Sequence, residues 1–220
     1  EFADKNNLIL IEDSTHCHGG IFEGKYLGTF GKYSVTSPRK HIPLKYGGIL
    51  NSYKKLNIQN FQRIYLSSYK DKLNFFVSKN LLKQKLFLKR MIYKSPDKII
   101  DFFEPRVKVS LIDKFSLDQI KYTNWVLLKS KKAENFNFWK SFCKKNGLNN
   151  LIDRQVNDLN PWALPVLLNS EREVLKWINW GVKNKVIIFS WPTLSSTIDK
   201  KSSARDLSKK LVCFSTYTRL

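Results

Sequence analysis

DSTHCHGGIFEGKYLGTFGKYSVTSPRKHIPLKYGG, residues 13–48, is the stretch whose reading decides the fold. It follows a short apolar run, Leu8-Ile9-Leu10-Ile11, that ends in the carboxylate pair Glu12-Asp13. Such a run predicts a buried parallel strand, covered on both faces. Ligands of open α/β sheets gather at the carboxyl ends of strands, which is where Asp13 stands. Gly19, Gly20, Gly24, Gly28 and Gly31 then punctuate a loop with a short hairpin. Tyr33 to Ser37 is β-branched and aromatic and predicts a second strand. It runs into Ser37-Pro38-Arg39-Lys40, a sharp turn presenting a hydroxyl, a guanidinium and an amine. His41-Ile42-Pro43-Leu44 continues as an extended loop, and Gly47-Gly48 opens the strand Gly-Gly-Ile-Leu.

Three side chains in this stretch carry chemistry, and each has a plainer reading beside it. A buried Asp13 is costly unless paired. A protonated pyridine nitrogen would be one good partner, because the ion pair keeps the ring an electron sink; equally, Asp13 caps the next turn. Lys40 can form a Schiff base if its surroundings lower its pKa, or it is one more solvated amine in a lysine-rich chain. His16 stands where it can face a cofactor ring, or it is structural; His18 reads as the surface histidine of the two. No third ligand stands at metal-binding spacing, which discounts zinc. An acid at a strand end and a lysine in a short turn are what a pyridoxal phosphate (PLP) site requires.

The order and spacing of these residues resemble the core of the DegT-type sugar aminotransferases, a family of fold type I PLP-dependent enzymes. That family carries an IED-x-x-H/Q element at a strand end, then G-x-x-G and a strand ending in F/Y-S. A Schiff-base lysine follows, and then a Gly-Gly pair. Here these are Ile11-Glu12-Asp13 with His16, Gly28 with Gly31, Ser37, Lys40 and Gly47-Gly48. Arg39 and Pro43 match a branch with a Ser-x-Arg-Lys-x-x-Pro signature. The resemblance implies that Asp13 binds the pyridine nitrogen, His16 contacts the ring, Ser37 binds the phosphate, and Lys40 holds PLP covalently and shuttles the proton. Lys45-Tyr46 stands where many members carry Gly-Glu or Pro-Asp before the paired glycines.

Outward from this core, EFADKNN reads as the end of a helix stopped at Asn6-Asn7. A chain opening on a helix end that feeds a strand looks cut, so a fragment is expected. The resemblance then places the phosphate cradle, the ring-stacking aromatic and the first strands in a preceding N-terminal portion. Residues 51–100 hold twelve Lys/Arg against two Asp and predict two helices with basic outer faces. Pro96 and Pro105 bracket a linker. Ser116-Leu117-Asp118-Gln119 reads as a capping box opening one long helix that stops at Gly147, with Trp125, Val126, Leu127, Phe136, Trp139 and Phe142 as its apolar stripe. The remainder alternates strand, helix, strand, helix, strand. Pro165 inside Trp162–Leu168 argues for an edge strand there. Ser190 to Leu194 resembles the family's W-P segment, and Phe214 to Thr218 stands at its L-P-x-H-Q motif, with Tyr217 at the histidine position.

The expected fold is α/β and fold type I PLP-transferase-like. Residues 1–110 form part of a mixed or parallel-sheet large domain, and residues 111–220 a small α+β C-terminal domain. The expected function is transfer of an amino group from an amino acid to a keto-sugar, of the nucleotide-linked kind used for surface polysaccharide, by a full-length cytoplasmic homodimer.

Composition bounds the alternatives. Of 220 residues, 39 are Lys or Arg and 18 are Asp or Glu, a formal net charge of +21. Such an excess raises nucleic acid as a partner, yet the lysines are widely spread and carry no recognised binding motif. Richness in Lys, Asn and Ile together also matches an AT-biased genome. No apolar stretch reaches the roughly 18–20 residues of a membrane helix. Three cysteines without metal spacing fit a reducing compartment. Two rivals therefore stand: a non-catalytic homologue, consistent with Lys45, Tyr46 and Tyr217, and a basic nucleic-acid-binding protein.

Overall fold

The computed structural model describes residues 2–44, 47–56, 68–73, 75–76, 111–152, 158–191, 194–195, 197–199, 201–217 and 219. They fall into two compact units. The first is drawn from Glu1–Asn80, Lys108–Ala133 and Val156–Trp162, and the second from Leu81–Val107, Glu134–Gln155 and Ala163–Leu220.

In the first unit, α1 (Phe2–Lys5) ends at Asn7, which takes φ 52 while Leu8 N donates to Ala3 O at 2.8 Å. That is the helix stop expected of Asn6-Asn7. β1 (Ile11–Asp13) follows, then a hairpin of β2 (Ile21–Phe22) and β3 (Lys25–Tyr26) turning through Glu23 and Gly24, both at positive φ. β4 (Tyr33–Thr36) leads into a 3-10 turn, Pro38–Lys40, and β5 (Ile49–Ser52) returns beside it. The sheet order is β1-β4-β5, with β1 parallel and β5 antiparallel to β4.

One expectation about β1 is overturned. The run predicted to be buried on both faces is open, with Leu8 at 56% and Ile11 at 62% exposure. The reason is position: β1 is the edge strand of its sheet.

The single long helix is also corrected. α2 (Lys114–Tyr122) and α3 (Trp125–Lys145) are separate. The first cap is Asp113, not Ser116, since the Asp113 carboxylate accepts from Ser116 N at 3.0 Å and from Ser116 Oγ at 3.2 Å. Thr123 then leaves helical geometry, and Asn124 Oδ1 accepts from Leu127 N at 2.9 Å to start α3. A side chain able to cap ends one helix and opens the next. Ile42, Leu44, Phe75 and Ile120 form this unit's core, with Ile49, Ile112, Phe115, Trp125 and Leu128 packed against it.

α3 continues into the second unit and stops at Gly147, which takes φ 66 while Leu148 N reaches back to Cys143 O at 2.9 Å. Phe136 and Trp139 of the predicted stripe are fully buried, but Val126 and Leu127 face outward, Val126 at 77% exposure. They occupy the first turn, before the helix meets that core. β6 (Asn149–Asn150), β7 (Ala163–Leu167), α4 (Glu171–Lys183), β8 (Ile188–Ser190), α5 (Ser203–Lys210) and β9 (Leu211–Ser215) complete the unit. The antiparallel sheet runs β6-β7-β9-β8.

β7 is therefore interior, contrary to the edge expected from Pro165. Pro165 O accepts from Leu151 N, just past two-residue β6, so the nitrogen of Pro165 points toward that stub and no ladder bond is lost. Leu164, Val166, Val174, Val212 and Phe214 are fully buried, and Phe214 packs against Trp139, whose Nε1 donates to Ser215 O at 3.0 Å.

A parallel pair with an antiparallel neighbour, and a second antiparallel α+β unit, bear out the mixed α/β class. The basic helices and linker expected between residues 51 and 110 lie outside the described residues, apart from helical positions 69–73 and 75–76.

Candidate active site

The parallel register of β1 and β4 pairs Asp13 with Val35, so the two strands end side by side. Ser14 N donates to Val35 O at 2.9 Å and Thr36 Oγ1 to Ser14 O at 3.2 Å, which ties the two exits together. His16 leaves one strand and Lys40 the other.

The glycines of the connecting loop have a steric cause. Gly28 takes φ 96, and a Cβ on Gly31 would stand 2.8 Å from Leu10 O and 2.9 Å from Tyr33 O. Glu12 fixes this loop: its carboxylate accepts from Ser14 Oγ, Gly28 N and Phe30 N. Burial alone would raise the Glu12 pKa, but these bonds and one from Gly31 N outweigh it and hold it below its ordinary value.

At the strand ends, Lys40 Nζ contacts His16 Nε2 directly. Trp162 stands beside both, its ring edge-on to His16 at 4.9 Å and 5.8 Å from Lys40 Nζ. Burial and the Arg39 guanidinium push the Lys40 amine below the usual lysine range, with Asp13 pulling the other way. Burial and the Lys40 charge likewise lower His16, against an upward pull from Asp13. Asp13 is exposed and accepts from Thr15 N at 3.0 Å, as a turn-capping aspartate does. That bond, the Thr15 hydroxyl, and the charges of His16 and Lys40 keep its carboxyl low. The structure thus gathers Asp13, His16 and Lys40 at one place. Ser37 is buried at the start of the Lys40 turn, where its carbonyl accepts from Lys40 N at 3.0 Å and its side chain makes no capping bond.

His18 is not a surface residue. Nδ1 of its ring meets Thr36 Oγ1 at 3.0 Å, and the ring packs edge-on against Trp125 at 4.4 Å; burial lowers its pKa. Sequence reasoning also passed over three contributors: Trp162, His41 and Lys132. Trp162 was legible only as a strand start, and no spacing distinguishes Lys132 among so many lysines. Tyr217 lies in the second unit, where burial pushes its phenol above its ordinary range. Lys45 and Tyr46 lie outside the described residues.

The lysine turn stands beside an aspartate at adjoining strand ends of a mixed α/β fold. The family model of the DegT/DnrJ/EryC1/StrS aminotransferase family matches residues 1–75. No curated protein matches the chain. Among solved structures it is similar to Helicobacter pylori PseC, an aminotransferase involved in the biosynthesis of pseudoaminic acid, at 17% identity and TM-score 0.51, covering 97% of this chain and 56% of that one. It is similar also to a DegT DnrJ EryC1 StrS aminotransferase from Brucella abortus, at 14% identity and TM-score 0.53, covering 98% and 54%. A Streptococcus pneumoniae protein provisionally assigned as a sugar aminotransferase, in its PLP form, matches at 11% identity and TM-score 0.51, covering 100% and 56%. At these identities the likeness shows the fold. The chain spans a little over half the length of these structures.

Proposed function

We propose that this chain carries the lysine-bearing cofactor site of a PLP-dependent sugar aminotransferase. Lys40 bonds the cofactor, Asp13 pairs with its ring nitrogen, His16 lies against the ring and Ser37 faces the phosphate. The observation that carries this reading is the convergence of Lys40, His16 and Asp13 at the ends of two parallel strands.

The donor set fits the group. An amine with a depressed pKa is nucleophilic near neutrality, and a carboxylate held ionised can pair with a pyridinium. When bound, PLP supplies an electron sink for the substrate's α-carbon. The chain's own residues handle the proton. Lys40 Nζ takes it from the α-carbon and returns it. His16 meets that amine at Nε2, one of the two nitrogens donating to the other. The Trp162 ring stands beside the amine, its centroid 5.8 Å from Nζ.

The finer reading is an amino acid donor, glutamate by chemistry, and a nucleotide-linked keto-sugar acceptor made for surface polysaccharide. The family match and the sugar pathway of PseC support it. A homodimeric, cytoplasmic protein goes with it. All three cysteines are free thiols, which fits a reducing compartment, and no helix among the described residues is long and apolar enough to cross a membrane.

Titrating the chain with PLP and reducing the mixture with borohydride tests the site. The expected result is a new absorption band and a reduced adduct mapping to Lys40, both lost in Lys40→Ala. No band at saturating PLP, or an adduct unchanged in Lys40→Ala, sinks the reading. Tight, salt-sensitive nucleic-acid binding in its place would favour the basic-protein rival.

A further inference from the structure

Directly behind the Lys40 turn lies a second pair of nitrogens that the proposed chemistry does not use. His41 closes the 3-10 turn: its backbone N donates to Pro38 O at 2.8 Å, and Ile42 N donates to the same carbonyl at 3.0 Å. Its ring is 1% exposed, and Nδ1 meets Lys132 Nζ of α3 at 2.9 Å. Lys132 is itself 1% exposed.

An amine buried this deeply is expensive, because the charged form has left water. Burial brings Lys132 down to about 7, and burial with the charge of Lys132 brings His41 down to about 2. The imidazole is thus neutral, and its Nδ1 shares a hydrogen bond with the Lys132 amine whose direction follows the ring tautomer. A purely apolar filling of this site would be cheaper. The bond does something such a filling cannot: it fixes the rotation of the residue adjoining Lys40 and fastens the turn to α3. On its other side the His41 ring lies 6.3 Å from that of His18, which is held by Thr36 at the end of β4.

We propose that Lys132 is a positioning residue for Lys40, acting through His41 to hold the Pro38–Lys40 turn in the geometry that keeps the Lys40 amine against His16. The inference rests on Lys40 being the reactive amine, but its test needs no cofactor. The groups facing His41 are Lys132 on α3, His18 and His16 from the loop after β1, and Lys40 on the turn.

Competitive labelling with an amine-specific acylating reagent, mapped by peptide mass spectrometry across pH 6 to 10, reads the pKa and reactivity of Lys40 in the chain without PLP. Lys132→Met takes the amine away from the buried His41 Nδ1, so the variant used is His41→Phe with Lys132→Met, which removes both members of the pair at once. With the turn unfastened, the amine moves toward solvent and its titration midpoint rises by about half a unit to one unit, slowing labelling near pH 7.5 by about three- to tenfold. Exposed lysines such as Lys25 on β3 keep their rates. An unchanged Lys40 midpoint in the folded double variant overturns the proposal, as does failure of that variant to fold, which would assign the pair to the core alone. A chain that shows the midpoint shift yet takes up no PLP would refute the proposed function and leave this inference standing.

Discussion

His16 and Lys40 meet nitrogen to nitrogen, Nε2 against Nζ, so a charge on the amine disfavours a charge on the ring. Both groups are pushed below their ordinary pKa, and the sign of the linkage follows. Between the folded and unfolded values the unfolded state binds more protons, so stability rises with pH through that window and falls on acidification. The expected outcome is a His16 imidazole titrating below 6.5 by NMR, with Lys40→Ala moving it upward. A His16 midpoint at or above 6.5 contradicts the contact.

His41 makes the larger acid-stability term. Its folded value of about 2 lies far below the ordinary 6.5, so protons bind the unfolded chain first as pH drops. At pH 5 the loss relative to pH 7 should reach about 2 kcal/mol from this group alone. Urea unfolding at the two pH values measures it, and His41→Phe should flatten the difference. An equal slope in that variant would place the acid sensitivity elsewhere.

Gly31→Ala tests the packing behind the motif glycines. The added methyl meets two strand carbonyls at under 3 Å, so β1 and β4 must part or the loop must shift. The expected cost is about 1–3 kcal/mol, with hydrogen exchange accelerating first at β1. Gly19, where a Cβ would meet nothing within 4 Å but φ is 75, serves as the control for backbone strain without a clash.

Asp13→Asn separates charge from turn geometry. An asparagine can still accept from Thr15 N, and the side chain is exposed, so the melting temperature should stay within a degree or two. If Asp13 pairs with the ring nitrogen of PLP, uptake of the cofactor weakens and its absorption shifts while the fold is untouched. Identical PLP titrations for both proteins would remove Asp13 from the site.

Much of this was legible in the residues. The turn Ser37-Pro38-Arg39-Lys40, the strand before it and the loop glycines carry local signals: a fixed proline φ, β-branching, and positions where a side chain collides. What sequence could not show follows from tertiary context. Exposure of Leu8 to Ile11 depends on what lies beside β1, which no local pattern records. The break at Asn124 depends on a side chain choosing its own backbone over a continuing helix. Pro165 was read through its missing donor, but whether a donor is missed is decided by the length of the neighbouring strand. The pairing of Lys132 with His41 spans 91 positions and uses the commonest kind of residue in the chain.

The open edge of β1 has a colloidal consequence. Four consecutive apolar side chains, Leu8 to Ile11, flank a backbone edge that can accept another strand. A formal charge of +21 keeps such chains apart at low ionic strength. Raising salt from about 0.01 M to 1 M shortens the Debye length from about 30 Å to about 3 Å and removes that repulsion. This 220-residue chain should therefore salt out early, and Ile9→Lys should raise the salt concentration at which light scattering begins.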